Sequence, residues 1–178
     1  MLRAKFSDLK NSDFFTFFNL REINSIKIAN STEIKEFKPG GFQDHIDLKF
    51  EIAYKNDEIK SATLLLDRDW IGNIESINFF GTDITKSFIV AVTPPDEQKS
   101  VEELAHYLFN LKGLKDVVIP CGAFVFKFEE STPKIKIILD VYRNVSVSNE
   151  FKLKNSKFIF KNVKESNKQR LLIKWYEM

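Results

Sequence analysis

Two short segments of the chain carry residue types at spacings that metal chemistry could use. In Asp44-His45-Ile46-Asp47, a strand would turn His45 and Asp47 to the same side, two residues apart, as two metal ligands. In Asp57-Glu58-Ile59-Lys60, the Glu-x-Lys spacing is the one that metal-dependent nucleases place on a central strand to hold a cation and orient a water. Neither segment makes a site by itself. Two ligands do not define a metal centre, the side they share is the polar face of a half-buried strand, and Glu58-Ile-Lys60 straddles an expected hairpin tip. With 2 histidines and 1 cysteine, a zinc site rich in those residues is excluded by count. Cys121, beside Gly122, has the exposure of a turn but no identifiable base or cationic neighbour to activate it, so it reads as a structural cysteine. The 6 glycines form no phosphate-cradling loop, dinucleotide fingerprint or nucleophile elbow. No catalytic residue, cofactor or metal ligand is assigned, and a metal-dependent hydrolase ranks third among the functional readings.

The C-terminal segment interleaves cations with aromatic rings. Lys152, Lys154, Lys157, Lys161, Lys168, Arg170 and Lys174 alternate with Phe151, Phe158, Phe160, Trp175 and Tyr176, and single-stranded nucleic acid is held by such groups. Stacking requires the rings and the cations on one face, however. Strict alternation sets Lys157, Ile159 and Lys161 on one side and Phe158 and Phe160 on the other, which makes the rings core and the lysines surface. Nucleic-acid binding is therefore the alternative reading rather than the leading one.

The densest apolar feature is Ser12-Asp-Phe-Phe-Thr-Phe-Phe18, four rings within five positions of a chain with 18 phenylalanines. If Ser12 caps a helical turn, Phe14, Phe17 and Phe18 share a face that docks on a sheet, and Phe15 points about 100° away, toward a second layer or a partner. Phe14, Phe15, Phe17 and Phe18 are accordingly the candidate partner- or ligand-binding residues.

The elements that must position these groups are mostly strands. Alternation is clearest at Ile46, Leu48, Phe50, Ile52 and Tyr54, and it resumes from Ile59 to Leu66 after a tight Asn56-Asp57 turn. Further strands are expected at residues 22–29, 74–80, 87–93, 117–119, 122–128, 134–142, 145–153, 157–163 and 169–176, with short polar connections that imply antiparallel neighbours. A helix is expected over about 100–112, capped by Ser100 with Glu103 and ended by Gly113. An N-terminal helix is expected over about 5–20, with Asn11-Ser12 as its weak point. Lys38-Pro-Gly-Gly41 reads as a turn.

The chain has 178 residues, enough for one domain spanning 1–178 that buries roughly 70% of its unfolded surface. Its net charge of +2 is unevenly spread: 41–98 holds eleven acids against five bases, and 149–178 holds eight bases against three acids. The longest apolar run, Phe88–Val92, is far short of the ~20 residues of a membrane span, and the N-terminus has no uninterrupted apolar signal, so a cytoplasmic protein without membrane insertion is expected. The fold expected is α+β, dominated by an antiparallel sheet as a sandwich or curled half-barrel. The function expected is a non-enzymatic interaction or apolar-ligand-binding domain acting through a protein partner or self-association.

Overall fold

The structure, a computed structural model, describes residues 5–29, 31–73, 76–110, 133–142, 146–165 and 167–178. The expected strands at 117–119 and 122–128, together with Cys121 and Gly113, lie outside the described residues.

The fold is α+β. Strands β1 (Arg21–Ile28), β2 (Thr32–Lys38), β3 (Ile46–Ala53) and β4 (Ile59–Asp67) form a meander. After a β5 (Gly72–Asn73) and β6 (Ser76–Ile77) ribbon, a second meander follows with β7 (Ser148–Lys152), β8 (Ser156–Glu165) and β9 (Lys168–Glu177). Pairing of β4 with β9 joins the two meanders into one antiparallel sheet of order β1-β2-β3-β4-β9-β8-β7. Among the described residues this is an open sheet of seven strands, with β1 and β7 at its edges and helices as its second layer. The helices are α1 (Phe6–Lys10), α2 (Asp13–Phe17), α3 (Arg68–Ile71), α4 (Phe79–Val92), α5 (Gln98–Tyr107) and α6 (Pro133–Tyr142). Among the described residues no helix is long and apolar enough to cross a membrane.

Alternation sorts the sheet into two faces. Ile46, Leu48, Phe50 and Ile52 of β3, Leu64 and Leu66 of β4, Phe158 and Phe160 of β8, and Leu171, Ile173 and Trp175 of β9 are buried on the helix side. They form one continuous core with Ile84, Phe88 and Val92 of α4, Leu104 of α5 and Ile138 of α6. The turn between β3 and β4 uses Asp57 in the left-handed conformation, a residue type that tolerates it.

Several expected elements are corrected. Of the strand expected at 74–80 only the short β6 (Ser76–Ile77) is described, and 87–92 is helical: α4 starts at Phe79, capped by Asn78, whose side chain accepts from the Gly81 amide (3.1 Å). The helix packs between its neighbours with Ile84, Thr85, Phe88, Ile89 and Val92 all buried, and so broad an apolar surface reads like a buried strand. Residues 134–142 are helical for a related reason. Pro133 occupies a first-turn position, and Ile135, Ile137, Ile138, Leu139 and Val141 are all buried, so the Lys-Ile-Lys-Ile alternation misleads. The helix expected at 100–112 begins two residues earlier, at Gln98, with Glu97 at its N-cap, and ends at Tyr107. The N-terminal helix does break at Asn11-Ser12, giving α1 and α2. Ser12 stands at the N-cap of α2, but its hydroxyl turns back to donate to the Leu9 carbonyl. Strand β2 was not expected at all, because its helix-side positions are Glu33, Lys35 and Phe37.

Glu97 ties the two layers together. Its buried carboxylate accepts from the Asn155 amide (2.6 Å) and the Ser156 hydroxyl (2.8 Å) at the turn between β7 and β8. Its neighbour Gln98 donates to the Val90 and Thr93 carbonyls at the end of α4. Replacing Glu97 by alanine strands both β7–β8 donors, so Glu97→Ala is expected to lower stability by about 1–3 kcal/mol in urea titration, with Glu97→Gln costing less because it keeps an acceptor.

Candidate aromatic groove

Helix α2 is only 5 residues long, so tertiary contacts rather than propensity must hold it. Those contacts are rings. Phe15 meets Phe6 of α1 (6.0 Å between centroids), Phe37 of β2 (5.1 Å) and Phe50 of β3 (5.8 Å). Phe14 and Phe18, four positions apart, pack together (5.6 Å) and reach α4, where Phe14 meets Phe88 (6.4 Å) and Phe18 meets Phe80 (5.5 Å). Most of these pairs are edge-on or tilted, as the ring quadrupole favours.

Phe17 is the exception. It is 75% exposed, against 5% for Phe15, and its described ring contact is with Phe18 (4.8 Å, edge-on). The division of labour expected from the sequence is thus reversed at two positions: Phe15 is core and Phe17 is left to solvent. The reason is that α2 lies between two surfaces. Phe15 turns to the sheet while Phe14 and Phe18 turn to α4, and the remaining direction faces out.

Between α2 and α4 runs an open groove of about 930 Å³. Phe14, Phe18, Val90 and Ala91 supply much of its apolar lining, with the exposed Phe17 and Pro95 also bordering it. Asp13 on one wall, Asp83 and Lys86 on the other, give the rim charges of both signs. Sequence reasoning found the α2 wall but missed the α4 wall, having read that segment as strands. The recurrence of Phe80, Ile84, Phe88 and Val92 at four-residue spacing behind Asn78 was the available signal.

Beyond Phe80 the aromatic run continues through Phe42 (4.8 Å) to Trp70 (5.3 Å) and then to His45, stacked on Trp70 at 5.2 Å. Phe42 adopts φ 55°, a left-handed conformation that costs a bulky residue on the order of 1–3 kcal/mol, yet it is half exposed. Gly81 makes room for this run, since a Cβ there would stand 3.1 Å from the Trp70 ring.

The charged groups go elsewhere. His45 lies in a 3-10 turn (Gln43–His45) rather than on the strand, and its Nδ1 is 3.0 Å from Asp67. Asp47 instead accepts from Lys38 (2.8 Å) and Arg170 (2.5 Å), so the two residues weighed as ligands engage different partners. Arg170 also brings its Nε to 3.2 Å from Asp67 Oδ1, a charge contact not aligned as a hydrogen bond. Burial pushes both carboxyls up, but Lys38 and Arg170 at Asp47, and His45 and Lys168 at Asp67, outweigh it and hold both below the ordinary range. Glu58 pairs with Lys60, which also reaches Glu177 (2.8 Å), while Asp57 accepts from the Ser7 amide. No group of three His, Cys, Asp or Glu side chains that could hold a metal occurs among the described residues.

Of the basic C-terminal residues, Lys168 and Arg170 belong to that ion-paired cluster and Lys157 pairs with Glu150. Lys157 and Lys174 flank the Tyr176 ring at 5.6 and 4.8 Å, and Lys152, Lys154 and Lys161 are exposed. Phe158, Phe160 and Trp175 are buried on the opposite face.

Two measurements check this geometry. Phe15→Ala removes a core ring and is expected to cost about 3–5 kcal/mol in urea titration, whereas Phe17→Ala is expected to stay within roughly 0.5 kcal/mol of the parent. Because the folded carboxyls of Asp47 and Asp67 are depressed, their contribution is complete above the ordinary carboxylate pKa of about 4 and is lost as pH falls below it. Asp67→Asn is therefore expected to be less stable than the parent at pH 7, and the difference should shrink as unfolding is repeated at progressively lower pH below that value.

The chain matches no known family model, and no curated protein or solved structure is significantly similar to it.

Proposed function

We propose that this chain is a non-enzymatic protein-interaction domain that grips an apolar segment of a partner in the groove between α2 and α4. The observation that carries this reading is Phe17, a large ring 75% exposed at the lip of an apolar trough whose floor is otherwise built of core side chains. A ring held at such exposure costs solvation free energy that a partner's apolar anchor would recover, and aromatic anchors dominate protein interfaces.

The occupant is a protein segment rather than a small apolar ligand. The groove is open along its length, so a small ligand would keep much of its surface in water, contrary to the enclosure that such sites give. A helical or extended segment would instead lay one apolar face into the trough and meet Asp13, Asp83 and Lys86 with its polar flanks. The nucleic-acid alternative has less support, because Phe158, Phe160 and Trp175 are buried away from the lysines and three of the cations are already paired. A hydrolase has less still, since Asp47 and Asp67 are engaged by cations.

The test is selection of displayed random peptides on the native chain, followed by counter-selection on Phe17→Asp and Val90→Asp. The expected result is peptides sharing two or more apolar anchors, with affinity reduced on the order of tenfold or more by either substitution. Selected peptides that bind both variants as well as the parent, or no enrichment at all, would contradict the proposal.

A further inference from the structure

Strand β1 forms one edge of the sheet, and all 8 of its residues, Arg21–Ile28, are exposed. One side of it pairs with β2; no strand among the described residues pairs with the other. The amide at its centre, Ser25, is held by the neighbouring Asn24 side chain (3.0 Å), a local stand-in for a strand partner. The strand contains no proline, and Ile23, Ile26 and Ile28 are 53%, 46% and 42% exposed. Such β-branched residues suit a paired strand better than a solvated edge.

The register against β2 shows what the free side would fit. Glu22, Ser25 and Lys27 lie opposite Phe37, Lys35 and Glu33, on the helix-side face, while Asn24, Ile26 and Ile28 lie opposite Glu36, Ile34 and Thr32, on the open face. Ile23 is the extra residue of a bulge. That bulge sets Glu22 and Lys27 at equal register distances on either side of Ser25. Stepping outward from Ser25, one direction meets Ile26, Lys27 and Ile28; the other meets Asn24, then Glu22 once Ile23 is skipped, then Arg21.

We propose that a second copy of this chain pairs antiparallel along β1, about a two-fold axis at Ser25, to join the two sheets into one. Each Ser25 then faces its counterpart, each Ile26 faces Asn24 beside the bulged Ile23, and each Lys27 faces Glu22 twice across the axis, with both faces of the sheet preserved. Without the bulge, Lys27 would meet Ile23 and the charge match would be lost. Glu22 already holds Lys35 of its own chain (2.9 Å), and its carboxylate has acceptor capacity for the second copy's Lys27 as well. A foreign strand would have no reason to match this symmetric pattern of opposite charges; a second copy matches it by construction.

Sedimentation equilibrium over a concentration series tests the proposal. The native chain is expected to reach twice its 20.8 kDa mass. Lys27→Glu sets two pairs of like charges across the axis and is expected to raise the dimer dissociation constant on the order of tenfold or more, and adding Glu22→Lys is expected to restore it. Circular dichroism verifies that each variant is folded, and Ser25→Pro, which deletes the central edge donor, gives the same loss through the backbone should the charge variants unfold. A single-chain mass throughout the series overturns the proposal. So does a dimer that Lys27→Glu leaves unchanged, one that the charge swap fails to restore, or one abolished by Phe17→Asp, which would put the contact in the groove.

Discussion

Phe50, fully buried on the helix-side face of β3, is the point on which the N-terminal half of the molecule rests. Phe6 of α1, Phe15 of α2 and Phe37 of β2 all reach its ring at 5.6–5.8 Å. Each of these side chains contributes about 1.5–3 kcal/mol by leaving water, and the two five-residue helices are too short to hold themselves without such tertiary contacts. The docking of Phe15 on this cluster also sets the rotation of α2 about its axis. With Phe15 turned to the sheet and Phe14 and Phe18 turned to Phe88 and Phe80 of α4, Phe17 has no surface left to cover it. The groove is thus a geometric consequence of how the rings are shared between two layers, and the aromatic run through Phe42, Trp70 and His45 extends the same packing toward the β3 end of the sheet.

The parts of the fold that were legible in the sequence are those where one face is wet and the other dry. Strands β3, β8 and β9 each show this alternation in their residue order, and the structure places Phe158, Phe160 and Trp175 inside as the pattern requires. Helix α4 was misread because its second half, Ser87–Val92, is an apolar, partly β-branched run that resembles a buried strand, although its buried residues Ile84, Thr85, Phe88, Ile89 and Val92 fall on one face. In α6 the chance alternation of Lys134, Ile135, Lys136 and Ile137 imitated a strand. Strand β2 was hidden for the opposite reason: where a core residue would be expected it carries Glu33 and Lys35. At the site itself, the four rings of α2 were correctly singled out, but a one-sided docking surface could not predict that Phe15 and Phe17 exchange roles.

The β1–β2 hairpin shows what happens where the sheet outruns its helices. Its helix-side face holds a polar set, Lys35 ion-paired with Glu22 at 2.9 Å and the Ser25 hydroxyl donating to Glu33 at 3.1 Å, and the Glu22 carboxylate raises the Lys35 pKa above its ordinary value. Its isoleucines face the other way. Exposed pairs of this kind add at most about 1 kcal/mol each, so the hairpin owes its order chiefly to the ladder with β3. The molecule consequently offers two separate surfaces, an apolar groove walled by helices and an edge strand beyond them, and their chemistry differs enough for each to be altered without the other.

The claim that Phe17 is left in water while Phe15 is sealed against Phe50 is open to direct measurement. Fluorophenylalanine placed singly at 15 and at 17 can be read by fluorine NMR as the solvent isotope shift between H2O and D2O. The account predicts a shift close to that of the free amino acid at position 17 and almost none at position 15. A solvent-shielded fluorine at 17 in the isolated chain would contradict it, because the groove would then be closed rather than open.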